Sequence, residues 1–189
     1  PIPAEWVWRT SCDVFFATDF ALPPTRTRRT ALLIHDLSYI RVPQTAFPAL
    51  KAYLDDVVPR SLNRAAHIVV NSHATKRDIV ELYQIDPDRI TPLTFGVSPI
   101  FQPATAPRTA LSDSFPALTR PYLLAVGTIQ PRKNYIRLID ALRQLRQSGH
   151  DVDLAIVGGQ GWLSDPIYHA AHAPDIAPHV HLLGHVPDE

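Results

Sequence analysis

Arg132 and Lys133 stand where their charge could do chemistry. The apolar run Tyr122 to Val126 reads as a strand ending at Gly127, and a short loop then delivers the two cations to a helical pattern. Asn134 is placed to cap that helix, with Leu138, Ile139, Leu142 and Leu145 as its apolar stripe. The first amides of a helix lack partners within the helix and lie at the positive end of its dipole, so a helix start attracts phosphate. Two adjoining cations suit the place to a pyrophosphate. The alternative is a pair of solvated charges on an ordinary strand-to-helix turn.

A second candidate is His35-Asp36, at the carboxyl end of the apolar run 31–35. Open α/β sheets hold their ligands at such strand ends. His35 is either a site residue or a hydrogen-bonded histidine closing a strand. Asp36 either orients the imidazole or caps the following turn. Gly158, Gly159 and Gly161 follow the strand-like run 153–157, where glycine permits positive φ or a close backbone approach to a ligand. Their spacing is not the Gly-x-Gly-x-x-Gly of dinucleotide folds, and no acidic residue about 20 positions on ends a second strand. A plain turn explains them equally well.

His169, His172, His179, His181 and His185 crowd one stretch, and His179 and His181 would share one face of a strand at 179–183. The spacings match no compact zinc motif, and neither a cysteine nor a clustered acid joins them in sequence, so no metal is expected. Asp55 and Asp56 are neighbours on a helix and point in different directions, which makes a poor acid–base pair. A Gly-x-Ser-x-Gly elbow and a Walker loop are absent.

The elements that must position these residues alternate strand and helix, the pattern of a parallel sheet wrapped by helices. Strands are expected at 13–17, 31–35, 67–71 and 90–93, with helices near 47–65 and 74–83, the second capped by Ser72. Pro99, Pro103, Pro107, Pro116 and Pro121 then mark an interdomain linker. A βαβαβ unit follows, with strand 122–126, helix 135–147, strand 153–157, a short helix 165–172 and strand 179–183; this is about half of a Rossmann-like domain. Val186-Pro187-Asp188-Glu189 reads as the start of another helix.

Lys plus Arg and Asp plus Glu number 18 each, so the net charge is zero, and nucleic-acid binding through bulk charge is not expected. Arg26, Arg28 and Arg29 form a basic run read as a solvated loop, with contact to anionic lipid as the alternative. Cys12 stands alone, which rules out an internal disulfide and fits a reducing compartment. The chain contains no apolar run of membrane-spanning length and no signal-peptide pattern at its start. With no Met and Pro1 as first residue, it is expected to be a piece of a longer polypeptide.

Gly-Thr-Ile-Gln-Pro-Arg-Lys-Asn (127–134) resembles the donor-phosphate loop of retaining glycosyltransferases of family 4, which have the GT-B fold. Four further passages resemble that family in its own order. They are Ala-Leu-Leu-Ile-His-Asp-Leu-Ser (31–38), Ile-Val-Val-Asn-Ser-His-Ala-Thr-Lys-Arg-Asp-Ile (68–79), the Gly-Val passage 89–101, and Leu-Ala-Ile-Val-Gly-Gly-Gln-Gly-Trp (154–162).

The resemblance implies an α/β fold of two Rossmann-like lobes facing a cleft, both incomplete. Residues 1–98 would be the back of the N-terminal, acceptor-side lobe, 99–120 the linker, and 121–189 the front of the donor-binding lobe. It implies transfer of a sugar from a nucleoside-diphosphate sugar to a hydroxyl acceptor with retention, the acceptor being a glycan or lipid-linked glycan. Because this form of the motifs resembles polysaccharide mannosyltransferases, GDP-mannose is the first expectation. Gly127, Thr128, Arg132 and Lys133 would hold the diphosphate, His35 and Asp36 would serve at the sugar, and Gly96, Gly158 and Gly159 are ligand-side candidates. No cofactor or metal is implied. The location would be cytoplasmic, at the inner face of the membrane, with peripheral contact there. The family's paired glutamates would fall beyond residue 189, so this chain alone is expected to be inactive. The competing readings are a non-catalytic nucleotide-sugar-binding or scaffold fragment and another Rossmann-type enzyme.

Overall fold

In the computed structural model, which describes residues 3–8, 11–103, 115 and 117–186, the alternating pattern resolves into two parallel sheets. The chain divides into two compact units, Pro1–Phe101 and Gln102–Glu189. The expected linker 99–120 and the helix start at 186–189 lie largely outside the described residues.

The first unit carries β1 (Phe15–Ala17), β2 (Thr30–Ile34), β3 (His67–Val70) and β4 (Ile90–Pro92), in that spatial order. Register pairs Ala17 with Leu32, Leu32 with Ile68, and Ile68 with Ile90. A five-residue helix α1 (Ala4–Trp8), which the sequence pattern did not suggest, precedes β1. The crossover from β2 to β3 runs through α2 (Ser38–Arg41) and α3 (Pro48–Arg64). Pro48 opens α3 at its first turn, where a missing N–H costs nothing, and Leu54, Val58, Ser61 and Leu62 form its buried stripe. The return to β4 uses α4 (His73–Tyr83), whose cap is as expected: Ser72 Oγ accepts from the Thr75 amide at 3.1 Å. Leu32, Ile34, Leu62, Ile68, Val70 and Ile79 are fully buried between sheet and helices. Each such side chain contributes roughly 1.5–3 kcal/mol of transfer free energy.

The second unit carries β5 (Tyr122–Val126), α5 (Tyr135–Gln147), β6 (Asp153–Val157), α6 (Asp165–Ala171) and β7 (Val180–Gly184), with strand order β5-β6-β7. Ile139 and Leu142 of α5 pack with Leu154, Ile156 and Ile167 in its core. Leu138 is only partly buried; Tyr135, not anticipated in the stripe, is fully so. Strand β7 starts one residue later than expected, leaving His179 on the turn before it. Among the described residues no helix is long and apolar enough to cross a membrane.

Candidate functional site

Strand β5 ends at Gly127, and from there two loops run side by side. Gly127 N donates to Val157 O at 2.8 Å, Ile129 N to Gly159 O at 2.9 Å, and Gly161 N to Ile129 O at 3.0 Å. The approach is close enough to dictate residue type. Gly158 has φ +150°, and a Cβ there would lie 2.1 Å from the Gly127 carbonyl oxygen. Gly158 is therefore required by the neighbouring loop, whereas a Cβ on Gly159 or Gly96 would meet open space.

Arg132 and Lys133 occupy a tight turn, Pro131–Lys133, whose Lys133 amide donates to Gln130 O at 3.1 Å. The chain then passes through Asn134 in the left-handed region, φ 57° and ψ 36°, before α5 begins. Asn134 makes no side-chain cap, contrary to expectation. Asn is among the few non-glycine residues that adopt this left-handed conformation at modest cost. The Lys133 side chain folds back over Gly127, with Cε 3.1 Å from where a Cβ would stand. Beside it the Tyr135 hydroxyl donates to Gly127 O at 2.8 Å. Burial pushes the Tyr135 phenol above its ordinary value, so it remains a donor at neutral pH. Gln130 is buried below the turn, and its Oε1 finds no donor among the described residues. The fold thus brings Gly127, Thr128, Lys133, Gly158 and Gly159 together, with Arg132 exposed on the same turn.

In the first unit, His35 lies one residue past β2, its side chain 37% exposed. Its ring meets Phe20 and Phe95 edge-on, with centroids 5.8 and 6.2 Å apart. Phe95 precedes the candidate Gly96. The Asp36 carboxylate accepts from the Ser38 amide at 2.8 Å, so it serves the following turn. The carboxylate facing the imidazole is Asp19, 3.9 Å from His35 Nε2. Sequence reasoning missed Asp19; the signal was its place just past β1, since adjacent parallel strands bring their carboxyl-end residues together. His35 and Asp36 also line a 430 Å³ pocket with Arg41, Asn71, Ser72 and Thr75. These groups offer hydroxyl, amide and charged hydrogen-bonding partners of the kind that a polyhydroxylated ligand uses.

The histidine cluster has a different role from the one weighed in sequence. An acid does join it: the carboxylate of buried Asp153 accepts from His179 Nδ1 at 3.0 Å and from His181 Nε2 at 2.9 Å. Arg120 and Arg146 each stand 3.7 Å away. Burial pushes the Asp153 carboxyl up, but the bonds from His181 and His179 outweigh it and hold the group below its ordinary value. Asp153 opens β6, so this network ties the amino ends of the strands, opposite the Arg-Lys turn. No group of three or more His, Cys, Asp or Glu among the described residues is placed to hold a metal ion.

Residues 108–189 match the protein family described as Glycosyl transferases group 1. Over its whole length the chain is 26% identical, in an alignment of 192 residues, to the O-antigen chain mannosyltransferase B of Escherichia coli, covering 50% of that protein. The likeness to group 1 glycosyltransferases by family model thus covers residues 108–189, and the chain as a whole is similar to a mannosyltransferase. Across 92 residues, 46% of its length, it is also 33% identical to the Escherichia coli serotype-specific mannosyltransferase WbdA, covering 11% of that protein. Among solved structures, the glycosyltransferase from Rickettsia africae superposes with a TM-score of 0.65 at 16% identity, over 97% of this chain and 49% of that one. Anabaena HepE, solved with UDP and glucose, gives 0.63 at 17% identity, over 93% of this chain and 48% of its own. These likenesses establish the two-sheet α/β architecture as part of a GT-B fold. The chain spans about half the length of the first of these relatives.

Proposed function

We propose that the second unit is the donor-binding part of a retaining sugar transferase and that Gly127, Thr128, Arg132 and Lys133 receive the donor's diphosphate. The observation that carries this reading is the Arg-Lys turn at the carboxyl end of β5, with the Lys133 side chain folded over Gly127. When the glycosidic bond breaks, negative charge gathers on the departing diphosphate. Cations already fixed at that position stabilise the charge more in the transition state than in the ground state, which is where rate is gained. Lys133 supplies a point charge held over Gly127, and Arg132 a planar fork suited to phosphate. Tyr135 and Gly158 hold the loop in shape without touching the ligand.

The mannosyltransferase names of the relatives support GDP-mannose as donor; the UDP and glucose of HepE support a UDP-sugar as the rival. We assign residues 1–98, which carry His35 and Asp36, to the acceptor-side lobe and to a glycan or lipid-linked glycan acceptor. The pocket beside them supports that assignment. Residues 99–120 would link it to the donor lobe, 121–189. Cys12 as the single cysteine fits a cytoplasmic enzyme. The reading implies no cofactor.

The test is a titration of the 189-residue chain with GDP and UDP up to millimolar concentration, followed by amide chemical shifts. Shifts confined to residues 127–133 and lost in Lys133→Ala support the reading. Shifts elsewhere, or none, sink it. A non-catalytic sugar-nucleotide-binding role is the second reading, favoured by the exposed strand that bears the loop. Product formation from GDP-mannose or UDP-glucose by this chain would dismiss that second reading.

A further inference from the structure

Arg26, Arg28 and Arg29 stand on a loop whose backbone is tied down while its charges are left without carboxylate partners. One oxygen of Glu5, on α1, accepts from the Thr25 hydroxyl, from Arg26 N at 2.8 Å and from Thr27 N at 3.2 Å. The Thr27 hydroxyl donates to Asp13 O at 3.1 Å, and Arg29 O accepts from Phe15 N at 2.9 Å. The Arg26 guanidinium lies over the Trp6 ring, 5.9 Å from its centroid, and is held there by cation–π attraction. Arg41, Arg60 and Arg143 each pair with a carboxylate. Among the described residues, Arg26, Arg28 and Arg29 do not.

These three arginines, with Glu5, Trp6 and Asp13, line a 530 Å³ cavity at the amino ends of β1 and β2, the opposite end of the sheet from His35. Glu5 is 7% exposed, and its second oxygen, Oε2, meets no donor among the described residues. The bond from the Thr25 hydroxyl, with those from the backbone amides, draws this carboxyl down to about 2, so it is ionised at neutral pH. A buried charged oxygen without a donor is costly and rare in native structures. Three cations against two carboxylates leave the cavity with surplus positive charge, and guanidinium forks match phosphate oxygens. The open Oε2 calls for a donor beside that phosphate. An ammonium group is disfavoured among three guanidinium groups, which leaves a hydroxyl. We propose that this cavity binds a phosphorylated polyol, with Arg26, Arg28 and Arg29 taking the phosphate and Glu5 Oε2 accepting from a neighbouring hydroxyl. The exposed Trp6 ring offers an apolar surface to the polyol's C–H groups. Because the loop is already tied down, little ordering remains to be done on binding. A free sugar or glycerol phosphate and the glycerol-phosphate headgroup of a lipid share this chemistry. The site is independent of what the Arg-Lys turn binds.

The test titrates the 189-residue chain with glycerol 3-phosphate, inorganic phosphate and phosphoethanolamine to millimolar concentration, followed by amide chemical shifts. Glycerol 3-phosphate should shift residues 25–29 and bind about tenfold more tightly than inorganic phosphate, as one hydrogen bond to a charged group does. Arg28→Gln combined with Arg29→Gln, both at exposed positions, should leave the fold intact and weaken binding by about tenfold or more. Sedimentation with phosphatidylglycerol and with phosphatidylcholine vesicles separates the sources. Retention on the first alone, released by glycerol 3-phosphate, assigns a lipid headgroup; no retention assigns a free phosphate. The proposal is overturned if no probe moves residues 25–29, if the shifts gather at 127–133 instead, or if the double variant binds as well as wild type. It is equally overturned if inorganic phosphate or phosphoethanolamine binds as tightly as glycerol 3-phosphate.

Discussion

His35 and the Arg132-Lys133 pair both follow a parallel strand, but the two strands are held in opposite ways. Strand β2 sits between β1 and β3 and is buried on both faces, so packing fixes the place of His35, aided by the Thr75 hydroxyl that donates to its carbonyl at 3.1 Å. Strand β5 is an edge with exposed side chains, and the turn beyond it is fixed by backbone: the bonds from Gly127, Ile129 and Gly161, plus the Tyr135 hydroxyl. A turn beyond an exposed edge strand can thus be positioned by its neighbour loop. The price is intolerance at the contact, where no side chain fits.

The largest test of that contrast is Gly158→Ala. With its Cβ 2.1 Å from the Gly127 carbonyl and φ +150°, alanine should cost about 3 kcal/mol or more, by clash and backbone strain together. The loss would show as faster hydrogen exchange in β6, with β2 and β3 unchanged. Gly159→Ala, one residue on, should be within about 0.5 kcal/mol of wild type. Equal effects of the two would break the comparison.

Next comes Lys133→Ala, which should weaken nucleoside-diphosphate binding roughly 10- to 150-fold, as loss of a charged hydrogen bond worth about 1.5–3 kcal/mol does. His35→Ala should leave that binding unchanged, since His35 belongs to the other unit. Calorimetry on both variants checks the pair, and a matched loss in both would erase the division of labour.

A third test uses the buried Asp153. Its folded pKa lies below the ordinary 3.8, so its contribution is fully present above that value and is lost as pH falls through the lower, folded one. Asp153→Asn should cost about 2 kcal/mol near neutrality, by leaving the partly buried imidazole donors of His179 and His181 poorly paired. The gap to wild type should close on acidification below pH 4. Urea titrations at stepped pH would show it in the second unit alone.

The smallest contrast concerns the two helix starts. Ser72→Ala should cost about 1 kcal/mol, since it removes a real cap, and Ser72→Gly only a few tenths. At Asn134 the order should follow backbone geometry instead: Asn134→Gly neutral or slightly stabilising, Asn134→Ala about 1 kcal/mol worse. Thermal unfolding of the four variants decides whether Asn134 is a cap or a hinge in φ.

Most of the secondary structure was legible because its signals are local. The apolar runs of β5 and β6, the stripe of α5 and the Ser72 cap each lie within one element. What escaped was non-local or depended on backbone geometry. Asp19 meets His35 only because β1 and β2 pair in register. Asp153 meets His179 and His181 across 26 and 28 residues, so a search by spacing saw histidines without their acid. Asn134 has a capping side chain by type, yet the tight turn at Pro131 set its φ and left the cap unused. For Gly158 the sequence left a ligand-side role and a plain turn open; the close approach to the Gly127 carbonyl is a non-local contact that only coordinates supply.

The open space above Gly159 has a practical side. Its carbonyl holds Ile129 while a Cβ there would touch nothing within 4 Å, so a cysteine at 159 would carry a fluorophore beside the Arg-Lys turn without disturbing it. Cys12 is the chain's single thiol and sits in the other unit, and Cys12→Ser would make the label unique. A dye at 159 would then turn the test of nucleotide arrival at that turn into a signal read in real time.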